Sequence, residues 1–413
     1  MSLDFNTLLQ RYADLTVRVG LNLQPGQRLL IRAPVEAVQL VRLITDRAYQ
    51  DGARLVQIIW RDEQLNVSRL RYAPRDSFTE FPAWQAKAIE EYAAQGEAML
   101  AIISPDPDLY TGLDTEAVAT MQRVERQYYK GYMEHVVRST MNWLGIAMPN
   151  PAWAAKIFPQ LPSEQQMPQL WATLFRLCRL DTPDPIAAWE THISQLSLRS
   201  AYLNTKQYAA LRYHAPGTDL TIGLPHGHIW KSARDTSQRG IPFTPNLPTE
   251  EIFTLPHRAR VDGVVTATKP LNLNGALVDG FQMAFAEGRV TTLRASVGEE
   301  HLQRLVDTDE GARFLGEVAL VPHNSPIAQS GLLFFNTLFD ENAASHIALG
   351  RAYQFTLQGG EQMSDGEFAQ AGGNISIVHT DFMIGSEHMD IDGVTEGGQA
   401  EPVMRAGEWA FSI

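Results

Sequence analysis

The first two hundred residues alternate short apolar runs with stretches in which apolar residues recur every three or four positions. Arg28 to Arg32 (RLLIR), Arg54 to Trp60 (RLVQIIW), Ala98 to Ser104 (AMLAIIS) and Asn142 to Met148 (NWLGIAM) read as strands. Between the first two, Val38, Val41, Ile44 and Ala48 recur at helical spacing, and Asp51-Gly52 supplies the stop. Strand, helix and strand in that order make a βαβ unit. Its repetition predicts a parallel sheet flanked by helices.

A helical pattern over Pro185 to Leu203 closes this half. Beyond it lie strand-like runs at Tyr208 to Tyr213 and Asp219 to Ile222, then repeated glycine and proline punctuation with few long helices as far as Ile413. The expected organisation is an α/β N-terminal domain over residues 1–203 and a strand-rich α+β catalytic domain over 204–413. A chain of 413 residues is longer than one hydrophobic core usually supports, in agreement with two.

Composition narrows the function. The chain is 44% hydrophobic and 20% charged, an ordinary globular balance, and its formal net charge is -13. Nucleic-acid binding draws on clustered cations, so nucleic acid is not an expected partner. The turn after the first strand reads Ala33-Pro34-Val35-Glu36, without the glycine-rich loop that cradles a dinucleotide. Cys178 is the lone cysteine, inside the apolar pattern WATLFRLCRL, so there is no intramolecular disulfide and no thiolate metal site. No run of about 18 apolar residues occurs, and MSLDFNTLLQ lacks a secretory pattern, so a cytoplasmic protein with no membrane partner is expected.

The chemistry concentrates in the second half. In SIVHTDFMIGS, His379 and Asp381 are two apart in a strand-like run, which sends both to one face as a hydrogen-bonded pair or as two ligands of one cation. Glu317, in FLGEVAL, sits among apolar neighbours; a buried carboxylate needs a partner, either a cation or an arginine such as Arg313 or Arg351. DENAASHIALGRAY brings Glu341, His346 and Tyr353 within fourteen residues, and a helix after Ala343 would put His346 and Tyr353 on one side. NLPTEEIFT carries adjacent Glu250 and Glu251, of which an extended chain turns one towards a given site.

Carboxylates with two histidines and no thiolate suit zinc, cobalt or manganese. A carboxylate shared by two cations points to hydrolysis by activated water. His226 and His228 in LPHGHIW read as a loop, and His257, His301, His323 and His388 lack a second ligand on an evident face. Neither an HExxH helix nor a GxSxG elbow is present.

NLPTEEIFT, the Gly316-Glu317 strand, ENAASHIALGRAY, HTDFMIGS and MDIDGVTEGG, together with the opening RYADLTVRVGLNLQPGQRLLIRAP, resemble the thermophilic aminopeptidase family that includes aminopeptidase T, aminopeptidase S and PepS. The resemblance implies a homodimeric metallo-exopeptidase that acts on peptides with a free amino terminus and holds two divalent metal ions per subunit. It implies Glu251 as a terminal ligand, Glu317 as the bridging carboxylate, and His346, His379 and Asp381 as further ligands. Glu341 resembles a site glutamate that binds metal or handles the proton, and Tyr353 a tyrosine near the oxyanion. The alternatives are another dinuclear hydrolase, a phosphoesterase or amidohydrolase, and a non-catalytic scaffold. A phosphoesterase would want cationic phosphate clamps, and these segments offer only Arg351.

Overall fold

The structure is a computed structural model and describes residues 3–273 and 276–413. The chain forms two compact units, one of residues 1–191 with 234–248, the other of residues 192–233 with 249–413.

The first unit is built on a five-stranded parallel sheet ordered Leu55–Arg61, Arg28–Pro34, Ala98–Ile103, Trp143–Ala147 and Asn246–Leu247. The four longer strands lie where the apolar runs predict them. Leu30 and Met99 pack with Ala86, Ile89 and Ala93 of one covering helix, and with Tyr129, Tyr132 and Met141. The helix Val38–Gln50 turns Leu40, Val41, Ile44 and Ala48 inward and ends at Asp51, with Gly52 following at φ +96°. Pro34 leads directly into a single 3-10 turn, Val35–Ala37, ahead of that helix.

The second unit is strand-rich and mostly antiparallel. One sheet has eight strands, among them Ala210–Ala215, Thr218–Gly223 and Asp390–Val394. A further sheet has four, ordered Ile252–Thr254, Leu315–Leu320, His346–Gly350 and His379–Met383. This second sheet carries the chemistry.

The segment from His346 is a strand, so the helix that would have set His346 and Tyr353 on one side does not form. HIALG is wholly buried between two partner strands, and a short apolar run does not reveal by spacing alone whether it is helix or strand. Cys178 is fully buried, as its apolar surroundings predict. Among the described residues no helix is long and apolar enough to cross a membrane.

Candidate metal centre

The ladder of the four-stranded sheet gathers the predicted residues on one face. Ala319 stands opposite His346 and Glu317 opposite Ala348. Across the next strand Ala348 is opposite Asp381, and Gly350 opposite His379. Directly opposed residues of an antiparallel pair share a face, and so do alternate residues along a strand. Glu317, His346, His379 and Asp381 therefore project together. Phe253 is opposite Ala319 and joins them, and Glu251 is two residues before it.

Two glycines let the strands close around Glu317. The register shifts between Leu315 and Glu317, and a Cβ on Gly316 would lie 2.3 Å from the Gly350 carbonyl oxygen. Gly350 itself, at φ +102°, would press a Cβ to 2.1 Å from the Val378 carbonyl oxygen. Any side chain at either position would force the backbone apart.

Glu317 occupies the middle of the cluster. Its Oε1 lies 3.6 Å from His346 Nε2, and its Oε2 lies 3.7 Å from His379 Nε2. Glu251 Oε2 approaches His346 Nε2 at 3.2 Å, and Asp381 Oδ1 approaches His379 Nε2 at 3.5 Å. Two groups result, Glu251 with Glu317 and His346, and Glu317 with His379 and Asp381. Within each the potential ligand atoms lie within 4.8 Å of one another.

Both imidazoles are oriented for coordination. His346 Nδ1 donates to the Ala344 carbonyl at 3.1 Å, and His379 Nδ1 donates to the Arg351 carbonyl at 2.7 Å. A carbonyl can only accept, so Nε2 of each ring faces the carboxylates.

The electrostatics call for a cation. Three carboxylates and two imidazoles share this face and Glu341 lies within electrostatic reach of them, so even with both rings protonated the ionised cluster is negative overall. Glu251 Oε2 and Asp381 Oδ1 are buried without a hydrogen-bond partner, because their approaches to the imidazoles lack hydrogen-bond geometry. Unpartnered buried oxygens converging on ring nitrogens fit a divalent ion, and the donor set fits one that takes mixed oxygen and nitrogen ligands.

Without an ion the groups perturb one another strongly. Burial pushes Glu317 above the usual carboxylate range, partly offset by His346. Burial, then the charges of Glu251 and Asp381, push Glu341 well above that range. For both histidines burial favours the neutral ring, but the carboxylates prevail. His346 stands well above the ordinary imidazole value, and His379 rises to about 9 through Asp381 and Glu317. Asp381 is lowered, as His379 outweighs its burial. Burial and the four carboxylates keep the Tyr353 phenol protonated far above its usual pKa.

Glu341 is close enough to feel Glu251, Asp381, His346 and Glu317, yet belongs to neither three-ligand group. Tyr353 leans its ring on His379, with centroids 4.8 Å apart. Glu250 faces away from the cluster: its Oε2 lies 3.3 Å from His192 Nε2. Glu317 is not the partner of a nearby arginine, since Arg313 pairs with Asp307 and Arg351 Nη2 lies 3.9 Å from Asp365. His228 is buried, with Nδ1 donating to the Pro225 carbonyl.

Two supporting residues, Asn342 and His192, are not marked by the local sequence pattern. Asn342, fully buried, accepts from the Glu250 backbone N–H through Oδ1 at 2.6 Å and donates from Nδ2 to the Leu338 carbonyl at 3.1 Å. It ties the segment bearing Glu251 to the turn bearing Glu341. His192 Nε2 also meets the Thr249 carbonyl at 2.8 Å. An asparagine beside Glu341 among small residues was the available signal for the first; the second had none.

The donor set suits a metal-dependent hydrolase, the class to which the comparisons assign the chain. The sequence profile of peptidase family M29, the thermophilic metalloproteases, matches residues 5–409. Aminopeptidase 2 of Geobacillus stearothermophilus is 48% identical over 405 residues, covering 98% of each chain. Aminopeptidase T of Thermus thermophilus is 47% identical, covering 98% of this chain and 99% of its own. Aminopeptidase PepS of Streptococcus thermophilus is 39% identical, covering 99% of each. The solved structure of wild-type AmpT from Thermus thermophilus superposes with a TM-score of 0.94 at 46% identity, covering 99% of this chain and all of that one. The chain belongs to the M29 metalloprotease family.

Proposed function

We infer that the protein is a metal-dependent aminopeptidase whose reaction centre is the Glu317 cluster. The observation that carries this reading is that the two oxygens of Glu317 face two different imidazoles, each accompanied by a further carboxylate. In this proposal Glu251, Glu317 and His346 hold one divalent ion, and Glu317, His379 and Asp381 a second. Bound there, zinc, cobalt or manganese would supply Lewis acidity, lowering the pKa of water towards neutrality and offsetting the carboxylate charge.

The remaining steps fall to the chain's own side chains. Glu341, ionised when the cluster's charge is balanced, accepts the proton of the attacking water as its oxygen bonds to the carbonyl carbon. Tyr353, whose hydroxyl stays protonated, donates a hydrogen bond to the oxyanion. The carbon–nitrogen bond then breaks, and Glu341 returns its proton to the leaving amine. A site this rich in carboxylates favours a free amino terminus over a blocked one.

We further read the chain as a cytoplasmic homodimer, supported by its lone buried cysteine and by the family resemblance. The test of the activity compares leucine p-nitroanilide, its N-acetylated form and p-nitrophenyl phosphate before chelation, after it, and after adding zinc, cobalt or manganese back. Cleavage of the free-amine substrate alone, lost on chelation and restored by metal, is expected. Cleavage of the blocked substrate, or activity indifferent to chelation, overturns the reading.

A further inference from the structure

We propose that Lys231 anchors the terminal carboxylate of short peptide substrates. The inference rests on the aminopeptidase reading and adds a substrate class to it.

Lys231 and Phe253 exchange both backbone hydrogen bonds, Lys231 N–H to Phe253 at 2.8 Å and Phe253 N–H to Lys231 at 3.0 Å. They are thus a directly opposed antiparallel pair, and their side chains leave the same face. Phe253 opposes Ala319, and Ala319 opposes His346. Lys231, Phe253, Ala319 and His346 form one row on the face that bears the ligand cluster. At ~4.7–4.9 Å per strand, three spacings set the Lys231 backbone about 14 Å from that of His346.

Aromatic rings join the two ends. Tyr353 leans on His379 and stacks on Phe355, with centroids 5.2 Å apart and planes 16° from parallel. Phe355 meets Phe253 edge-on at 6.2 Å, and Lys231 Nζ lies 5.4 Å from the Phe355 ring centre. Tyr353, Phe355, Phe253 and Lys231 are all half-buried, which leaves part of each open to a ligand. Among the described residues Lys231 has no carboxylate within ion-pair distance, so the ring orients its ammonium without neutralising it.

The face is therefore polarised, with carboxylates at one end, a cation at the other and an apolar wall between. An unblocked short peptide is polarised the opposite way, amine first and carboxylate last. At ~3.3–3.6 Å per extended residue, a span of about 14 Å accommodates roughly two to four residues once the lysine side chain reaches inward. The terminal carboxylate pairs with Lys231, and the intervening side chains lie on the Tyr353–Phe355–Phe253 wall.

The experiment measures kcat/KM for Leu-Gly-Gly and its carboxy-terminal amide in the wild type, Lys231→Gln and Lys231→Arg. The wild type is expected to prefer the free acid about ten-fold, chiefly through KM, which corresponds to one good charge pair. Lys231→Gln brings the acid-to-amide ratio close to one, and Lys231→Arg retains it. An equal ratio in the wild type and Lys231→Gln, or no preference for the acid in the wild type, overturns the anchor while leaving the aminopeptidase reading intact. A wild type that hydrolyses neither peptide nor leucine p-nitroanilide overturns that reading, and the anchor with it.

Discussion

Glu250 and Glu251 are neighbours in sequence that face opposite partners: Glu251 Oε2 lies 3.2 Å from His346 Nε2, and Glu250 Oε2 lies 3.3 Å from His192 Nε2. The extended chain separates a group that serves the cluster from one that serves the scaffold. Glu251→Gln is expected to lose bound metal and at least a hundred-fold in kcat/KM with little change in melting temperature. Glu250→Gln should keep its metal but destabilise the fold by about 1–3 kcal/mol, as a buried polar contact is weakened. Metal analysis and thermal melts of the two variants check both, and reversed phenotypes would exchange their roles.

Tyr353 combines a protonated hydroxyl with a ring stacked on Phe355. Tyr353→Phe removes the first and keeps the second. We expect kcat to fall by about 10²–10³ with KM nearly unchanged, the pattern of a donor that acts in the transition state. Steady-state kinetics decide it, since a rise in KM alone would make Tyr353 a substrate-binding residue only.

Proton release should accompany metal uptake. In the metal-free cluster His379 is raised to about 9 and His346 is raised in the same direction, so uptake of an ion has to displace the proton of His379, and any on His346, from Nε2. Metal affinity therefore strengthens as the pH rises towards 9. The same shift means that His379 stabilises the metal-free fold fully below about pH 6.5, and that this contribution is lost as the pH rises through about 9. Calorimetric titrations in buffers of different ionisation heat report the protons released. Affinity independent of pH between 6 and 8 would contradict the assignment.

Asn342 bridges the segments bearing Glu251 and Glu341, through Glu250 N–H at 2.6 Å and the Leu338 carbonyl at 3.1 Å. Asn342→Ala leaves that buried N–H and that carbonyl unpaired, at a cost of about 1–3 kcal/mol. If its role is to position the two glutamates, kcat should fall far more than metal content does, and Asn342→Asp should restore part of the loss by accepting from the Glu250 N–H. Unchanged kcat in a destabilised variant would make the contact purely structural.

Much of this arrangement was legible in the sequence, for a physical reason. A parallel strand covered on both faces must be apolar throughout, so the strands over residues 28–34, 55–61, 98–103 and 143–147 stand out as unbroken runs. His379 and Asp381 were legible because alternation along one strand fixes their common face. The element that carries His346 was not legible, because HIALG is a central strand whose partners lie more than twenty residues away on either side. Asn342, His192 and the Lys231–Phe253 pairing follow from long-range contacts that local spacing does not encode.

Glu317 is proposed as the carboxylate that two divalent ions would share. The most direct measurement is the number of tightly bound divalent ions per chain, by elemental analysis after equilibration with zinc or cobalt and desalting, for the wild type and Glu317→Gln. Two ions in the wild type and fewer than one in Glu317→Gln, with peptide hydrolysis lost and the fold retained by circular dichroism, are predicted. A Glu317→Gln protein that keeps two ions and wild-type turnover would contradict it.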